Sequence, residues 1–278
     1  MLTQAQKGEK FQDLHHDTGP FVLPNVWDIG SAQLFAGLGY KALATTSSGF
    51  AYTHNFRDGE GDFGLDQALA HARTIGEATG LPVSADLENG YSDDPDGLAE
   101  TITKTAAAGL VGCTIEDTHP GEPGFYPFDV AVARIEAAVK AARSLPFPFM
   151  VTARADGLIK GLYDLDEAIR RLQAYEAVGA PVVYAPFLKS LDEISRVCAS
   201  VKAPVNHLGG LGVPGETVAS LGEAGVKRIS LGGSLARVAL GAAYRAGKQI
   251  AETGTFDEVT AAPGWNPVLA AINAGKLM

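Results

Sequence analysis

Asp86 and Glu88 stand two positions apart in the run Ser84-Ala85-Asp86-Leu87-Glu88. In an extended strand that spacing turns both side chains to one face. A third acid, Glu116, closes the run Gly112-Cys113-Thr114-Ile115-Glu116, and Arg154 closes Met150-Val151-Thr152-Ala153-Arg154. A cluster of carboxylate oxygens with no Cys or His among them favours a hard divalent cation, Mg²⁺ with Mn²⁺ as the alternative. Such an ion keeps several waters and can take substrate oxygens in their place. Arg154 adds a planar fork of the kind that grips a carboxylate. These residue types together suit a small acidic substrate whose developing negative charge is held by a cation.

Other polar residues gather at the ends of β-rich runs: Asp28, Ser47 and Ser48, Asp117, Asp156, Asn206 and His207. The competing reading is that the acids cap the helices that follow, and it is strongest for Asp117 and Asp156. His207 reads equally well as a site residue and as a satisfied wall histidine. Residues 52–64 form a polar loop with His54, Arg57 and Asp58. Residues 118–127 hold three prolines and two glycines, which suits an ordered, hinged lid carrying His119 and Glu122. Gly210, Gly212 and Gly215 match G-x-G-x-x-G after a strand, but no acid lies near the required 20 positions further on, so a dinucleotide site is rejected. Gly232-Gly233 reads as a tight turn in preference to an anion site.

Elements that place these residues on one surface must alternate. Eight β-rich runs, at 21–27, 42–47, 82–88, 112–117, 149–155, 182–185, 205–208 and 228–231, are separated by stretches with apolar residues at helical spacing, clearest at 131–142 and 165–178. Gly39, Gly109, Gly179 and Gly225 each stand where a helix should end and a strand begin, as the left-handed C-terminal cap favours. Alternating strands and helices give parallel pairing with right-handed crossovers. Eight such units predict an α/β fold, a (β/α)8 TIM-type barrel, with an open doubly wound sheet as runner-up. The whole chain, 1–278, then forms one barrel domain, with a C-terminal tail from about 255 where Pro263, Gly264 and Pro267 break the pattern.

The composition agrees. The chain of 278 residues is 46% hydrophobic and 19% charged, with a net charge of −10. It has no basic run, which argues against nucleic acid and anionic membrane. The first ten residues carry no apolar core of a signal peptide, and no apolar run approaches a membrane span. Cys113 and Cys198 are too few for a disulfide framework or a cysteine zinc site. A cytoplasmic protein is expected.

The chain resembles the isocitrate lyase/phosphoenolpyruvate mutase superfamily over roughly 21–249. The carrying segments are Thr45-Thr46-Ser47-Ser48-Gly49-Phe50, Ser84 to Tyr91, Gly112 to Asp117 and Thr152-Ala153-Arg154-Ala155-Asp156. The resemblance implies Mg²⁺, a small α-oxo or hydroxy carboxylate, and a pyruvate-like enolate. It also implies dimers or tetramers that exchange the last helix, here with apolar Leu235, Val238 and Leu240. It makes Asp86 the nearest metal ligand, with Glu88, Glu116 and Asp58 completing the metal site. Ser48 and Gly49 would hold the substrate carboxylate and enolate oxygen, with Arg154 and Asn206 on the substrate and Trp27 as an aromatic wall.

The chain departs from the pattern in two places. Lyases of isocitrate and methylisocitrate carry a lid cysteine within Lys-Lys-Cys-Gly-His; here the lid reads Thr118-His119-Pro120-Gly121-Glu122-Pro123. The mutases carry Asp-Ala-Asp before Thr-Gly-Tyr, and this chain has Asp86-Leu87-Glu88-Asn89-Gly90. The expected activity is therefore a Mg²⁺-dependent carbon–carbon lyase from a branch without the lid cysteine, with Arg154, Glu116 and His119 catalytic and His119 as the protonating acid. The rivals are a phosphonopyruvate hydrolase or mutase, an oxaloacetate decarboxylase, and a barrel that binds a keto acid without turnover.

Overall fold

A computed structural model describes residues 2–121 and 124–276. Every predicted β-rich run is a strand, and all pair in parallel within one sheet. The first run is split by Pro24 into β1 (Phe21–Leu23) and β2 (Asn25–Val26). Proline has no N–H to give a ladder, so the strand breaks there, yet the Pro24 carbonyl still accepts from Ala44 N at 3.0 Å. β2 pairs with β3 (Leu43–Thr45), and β1 pairs with the last strand, β9 (Arg228–Ser230). The remaining strands follow in chain order: β4 (Val83–Asp86), β5 (Gly112–Glu116), β6 (Met150–Arg154), β7 (Val182–Tyr184) and β8 (Val205–Leu208). The two ends of the sheet are thus successive pieces of chain, and the barrel closes at Pro24.

Helix α1 (Gln4–His16) precedes the barrel and closes its lower end. Its Phe11 packs with Leu23, Val111, Met150 and Val182. His15 stands edge-on between Phe11 and Phe21 and donates from Nδ1 to the Phe11 carbonyl at 2.7 Å. Around the barrel run α2 (Ile29–Gly37), α3 (Ser47–His54), α4 (Leu65–Ala78), α5 (Pro95–Ala107), α6 (Phe128–Arg143), α7 (Leu165–Ala177), α8 (Leu191–Ser200) and α9 (Val218–Glu223). Gly39, Gly109, Gly179 and Gly225 take φ between 89° and 100°, the left-handed geometry expected of helix ends. Ser47, read as a strand end, instead opens α3. Thr46 caps that helix and accepts from Gly49 N, which shortens the predicted 52–64 loop.

The C-terminal elements leave the barrel. Helix α10 (Ser234–Thr253) buries only Ala236, while Val238 is 67% and Tyr244 67% exposed. After α11 (Asp257–Thr260), α12 (Trp265–Gly275) returns across α2. A Cβ on Gly37 would lie 1.8 Å from the Ala271 carbonyl oxygen, and one on Gly275 would lie 1.8 Å from that of Gln33. The two helices cross so closely that only glycine fits.

Candidate active site

The strand ends surround a cavity of about 320 Å³. Ser47 donates to Asp86 Oδ2 from both its amide, at 3.0 Å, and its hydroxyl, at 3.1 Å. Thr114 Oγ1 donates to Oδ1 at 2.9 Å. Three neutral donors from two neighbouring elements therefore fix Asp86. Glu88 differs sharply. It sits 4% exposed in a left-handed backbone conformation, φ 47°, and neither carboxylate oxygen has a hydrogen-bond partner. Burial and the nearby Asp86 and Asp58 push its carboxyl up to about 7. Asp58 reaches the cavity from the loop before α4, and burial and Asp86 raise it too.

Glu116 closes β5 and faces Arg154 Nη1 at 2.9 Å. Burial still drives its carboxyl well above the usual range, because Arg154 is opposed by Asp156 and Asp86. Arg154 also meets Asp156 through Nε at 2.6 Å and Nη2 at 2.5 Å, and lies over the Tyr184 ring. Burial works to lower its pKa, but Asp156 and Glu116 outweigh it and the guanidinium stays charged. The substrate fork read from the sequence is therefore partly committed to the protein's own acids. Asp156 is held by Asp117, whose Oδ1 accepts from Asp156 N at 2.8 Å. Asp117 is buried and also accepts from Arg171, Tyr163 and Tyr175, so it is a hub beneath the site and not a helix cap.

The cavity thus brings together Ser48, Asp58, Asp86, Glu88, Glu116 and Arg154. Other candidates stand elsewhere. His119 lines a neighbouring cavity that shares Glu88; its ring packs on Tyr126 and its Nδ1 is 3.7 Å from Asp93 Oδ1. Glu122 lies outside the described residues. Asn206 is buried in the barrel, donating to Ser230 Oγ and accepting from Arg228 Nε, each at 2.9 Å. His207 is buried against Glu216 at 3.0 Å, the wall-histidine reading, and burial lowers its pKa despite that partner. Trp27 lines a separate apolar cleft with Phe50 and Phe56. The Gly49 amide donates to Thr46 at 3.3 Å, and a Cβ there would meet Thr46 and Trp27.

Lys160, Tyr184 and Ser234 line the cavity without a clear signal in the sequence that pointed to it, and the Gly232-Gly233 turn, read as a tight turn in preference to an anion site, lines it too. The signals were faint: Lys160 follows Asp156 by four residues, and Tyr184 ends β7 with Val182's orientation. A Cβ on Gly233 would lie 2.3 Å from Ser48 Oγ, which explains the glycine.

The lining has five carboxylates, from Asp58, Asp86, Glu88, Glu116 and Asp156, against two cations, Arg154 and Lys160. Among the described residues no three His, Cys, Asp or Glu side chains close round a single point. A hydrated Mg²⁺ does not need that, since it takes one or two carboxylates and keeps waters. The surplus of acid and the two unpartnered oxygens of Glu88 fit a divalent cation.

The phosphoenolpyruvate phosphomutase family profile matches residues 11–251. A solved structure from Burkholderia cenocepacia J2315, provisionally described as a lyase/mutase, superposes with a TM-score of 0.91 at 46% identity, covering 96% of this chain and 95% of that one. An uncharacterised Mycobacterium tuberculosis protein is 36% identical over 244 residues, 87% of this chain and 89% of the relative. The 2,3-dimethylmalate lyase of Eubacterium barkeri is 27% identical over 224 residues, 78% and 71% of the two chains. With its barrel, its ring of strand-end acids and a family match spanning most of its length, the chain belongs to the phosphoenolpyruvate phosphomutase family, within the isocitrate lyase/phosphoenolpyruvate mutase superfamily.

Proposed function

We propose that the chain is a Mg²⁺-dependent carbon–carbon lyase acting on a small α-oxo or α-hydroxy carboxylate, with Mn²⁺ able to substitute. The observation that carries this is Glu88: a buried carboxylate with two unpartnered oxygens, beside Asp86 and Asp58 in a cavity with too few cations. A bound divalent cation would neutralise the charge that grows on an enolate oxygen, typically the largest contribution to such catalysis. Asp86, Glu88 and Glu116 would hold it, with Asp58 beside them. Ser48 and the remaining N–H groups of Arg154 orient the carboxylate. With a 4-hydroxy-2-oxo acid, the C4 hydroxyl gives its proton to Glu116, C4 leaves as a carbonyl compound and the electron pair of the breaking C3–C4 bond passes into the enolate of the α-oxo fragment. With an α-hydroxy dicarboxylate, the hydroxyl gives its proton to Glu116, its carbon becomes the carbonyl of the α-oxo product and the pair passes to the α-carbon of the other fragment's carboxylate. The similarity to a lyase of 2,3-dimethylmalate, itself a hydroxy dicarboxylate, supports this substrate class.

The assembly proposed is a homo-oligomer, a dimer or tetramer, in which a second copy covers the apolar face of α10. A cytoplasmic setting suits the free thiols of Cys113 and Cys198. Among the described residues no helix is long and apolar enough to cross a membrane.

Thermal unfolding with oxalate, which imitates the pyruvate enolate, tests the reading. At 100 times its dissociation constant oxalate adds about 2.7 kcal/mol, a rise of roughly 5–10 °C for a chain of this size. The rise should require Mg²⁺ and vanish in Asp86→Ala. No shift at millimolar oxalate would leave a keto-acid barrel of some other kind. Product analysis with oxaloacetate, and phosphorus NMR with phosphonopyruvate, separate the lyase from its two enzymatic rivals.

A further inference from the structure

We propose that Lys160 is the catalytic acid that delivers the proton to the enolate carbon, in place of a lid residue. This rests on the enolate chemistry proposed above. Lys160 follows the short 3₁₀ turn Asp156–Leu158 and lines the central cavity. Its Nζ donates to Thr118 Oγ1 at 2.8 Å and lies 3.6 Å from Asp156 Oδ2. It is not a routine ion pair. Asp156 already has Arg154 at 2.5 Å and 2.6 Å, and the nearer partner of the ammonium is a neutral hydroxyl. That hydroxyl belongs to Thr118, which in turn donates to Glu116 Oε2 at 3.3 Å, so the ammonium is tied through one hydroxyl to the acid at the end of β5.

The other proton carriers on this cavity serve poorly. Arg154 does not deprotonate in proteins. Tyr184 lines the cavity, but burial pushes its hydroxyl up to about 12. Asp58, Asp86 and Glu88 beside a divalent cation are ionised and have no proton to give, and Glu116 serves as the base of the cleavage step. His119 faces the neighbouring cavity and Asp93. Lys160 carries three N–H groups, and its side chain is 37% exposed, so water can restore what it gives up.

In the step, the π pair between C2 and C3 of the enolate takes a proton from Nζ. The new C3–H bond forms, the oxygen pair re-forms the C2 carbonyl, and the N–H pair stays on nitrogen as the lone pair of an amine. Water then reprotonates the amine. Run backwards, the same step exchanges the methyl protons of pyruvate with solvent.

The experiment follows that exchange by proton NMR in D₂O with MgCl₂, for wild type, Lys160→Met, Lys160→Arg and Lys160→Ala. Positioned acid–base groups contribute 10²–10⁴-fold, so all three variants should exchange at least 100-fold more slowly. Lys160→Arg should keep the Mg²⁺-dependent oxalate rise in Tm, and added ethylamine should partly restore exchange to Lys160→Ala. Exchange in Lys160→Arg within threefold of wild type would reduce the residue to a charge and overturn the proposal. So would exchange in Lys160→Met within threefold of wild type. A wild type that neither exchanges pyruvate protons nor responds to oxalate would overturn the enolate reading itself.

Discussion

Side-chain volume at single positions sets the shape of the cavity, and Gly233 is the sharpest case. Its φ is −74°, so any residue could adopt the backbone. The obstacle is Ser48 Oγ, 2.3 Å from a would-be Cβ. Gly233→Ala should therefore push Ser48 into the space reserved for ligand. Overpacking of this kind costs about 1–3 kcal/mol, and oxalate affinity should fall at least tenfold, measured by titration calorimetry in MgCl₂. Equal affinity in the variant would mean that Ser48 does not touch the ligand. Asp86, Glu116 and Arg154 were legible because each ends a strand and a barrel collects strand ends; Glu88 lies past the end of β4 and reaches the cavity through its left-handed backbone, which strand alternation does not predict. Lys160 was not, since a 3₁₀ turn has no periodicity that says which way the fourth residue faces. Nor was Tyr184, whose aromatic ring reads as core. Asn206 and His207 misled for the same physical reason: their strand, β8, turns one into the barrel packing and the other to Glu216.

At the scale of elements, the eight β-rich runs and the four glycine helix ends were readable from pattern alone. The break at Pro24 was not, because a proline at the boundary between two neighbour strands looks the same as one inside a run. Helix α10 carries its own prediction. Val238 and Tyr244, each 67% exposed, lie on a 20-residue helix with one buried residue. On a monomer surface, polar substitutions there would be almost neutral, within about 0.5 kcal/mol. If α10 packs on a second copy, Val238→Glu with Tyr244→Glu should convert the oligomer into a monomer in sedimentation velocity. An unchanged sedimentation coefficient, with wild type itself oligomeric, would place the interface elsewhere.

For the molecule as a whole, the lower end of the barrel contributes a loss of stability in acid. Burial holds His15 down to about 3, against about 6.5 in an unfolded chain. Between those values the unfolded state binds one more proton than the folded one, so this residue makes stability fall as pH falls. The slope is at most about 1.4 kcal/mol per pH unit. His15→Phe can keep the edge-on packing with Phe11 and Phe21 without a group to protonate. Urea unfolding at pH 7.0, 5.5 and 4.0 should show the variant gaining on wild type step by step as the solution is acidified. A difference that stays constant with pH would clear His15 of the role.

The join at Pro24 has a consequence for biosynthesis. β1 and β2 emerge from the ribosome early, but β1 has no partner until Arg228–Ser230 has been made. About 200 residues separate the two edges, and at roughly 5–20 residues per second the nascent chain spends roughly 10–40 s as an open, curling sheet with both margins unpaired. Helices α10 to α12 are still to be synthesised when the cylinder can first shut. Premature termination anywhere before β9 would therefore release a chain with two exposed β edges, a substrate for chaperones and proteases instead of a smaller working barrel.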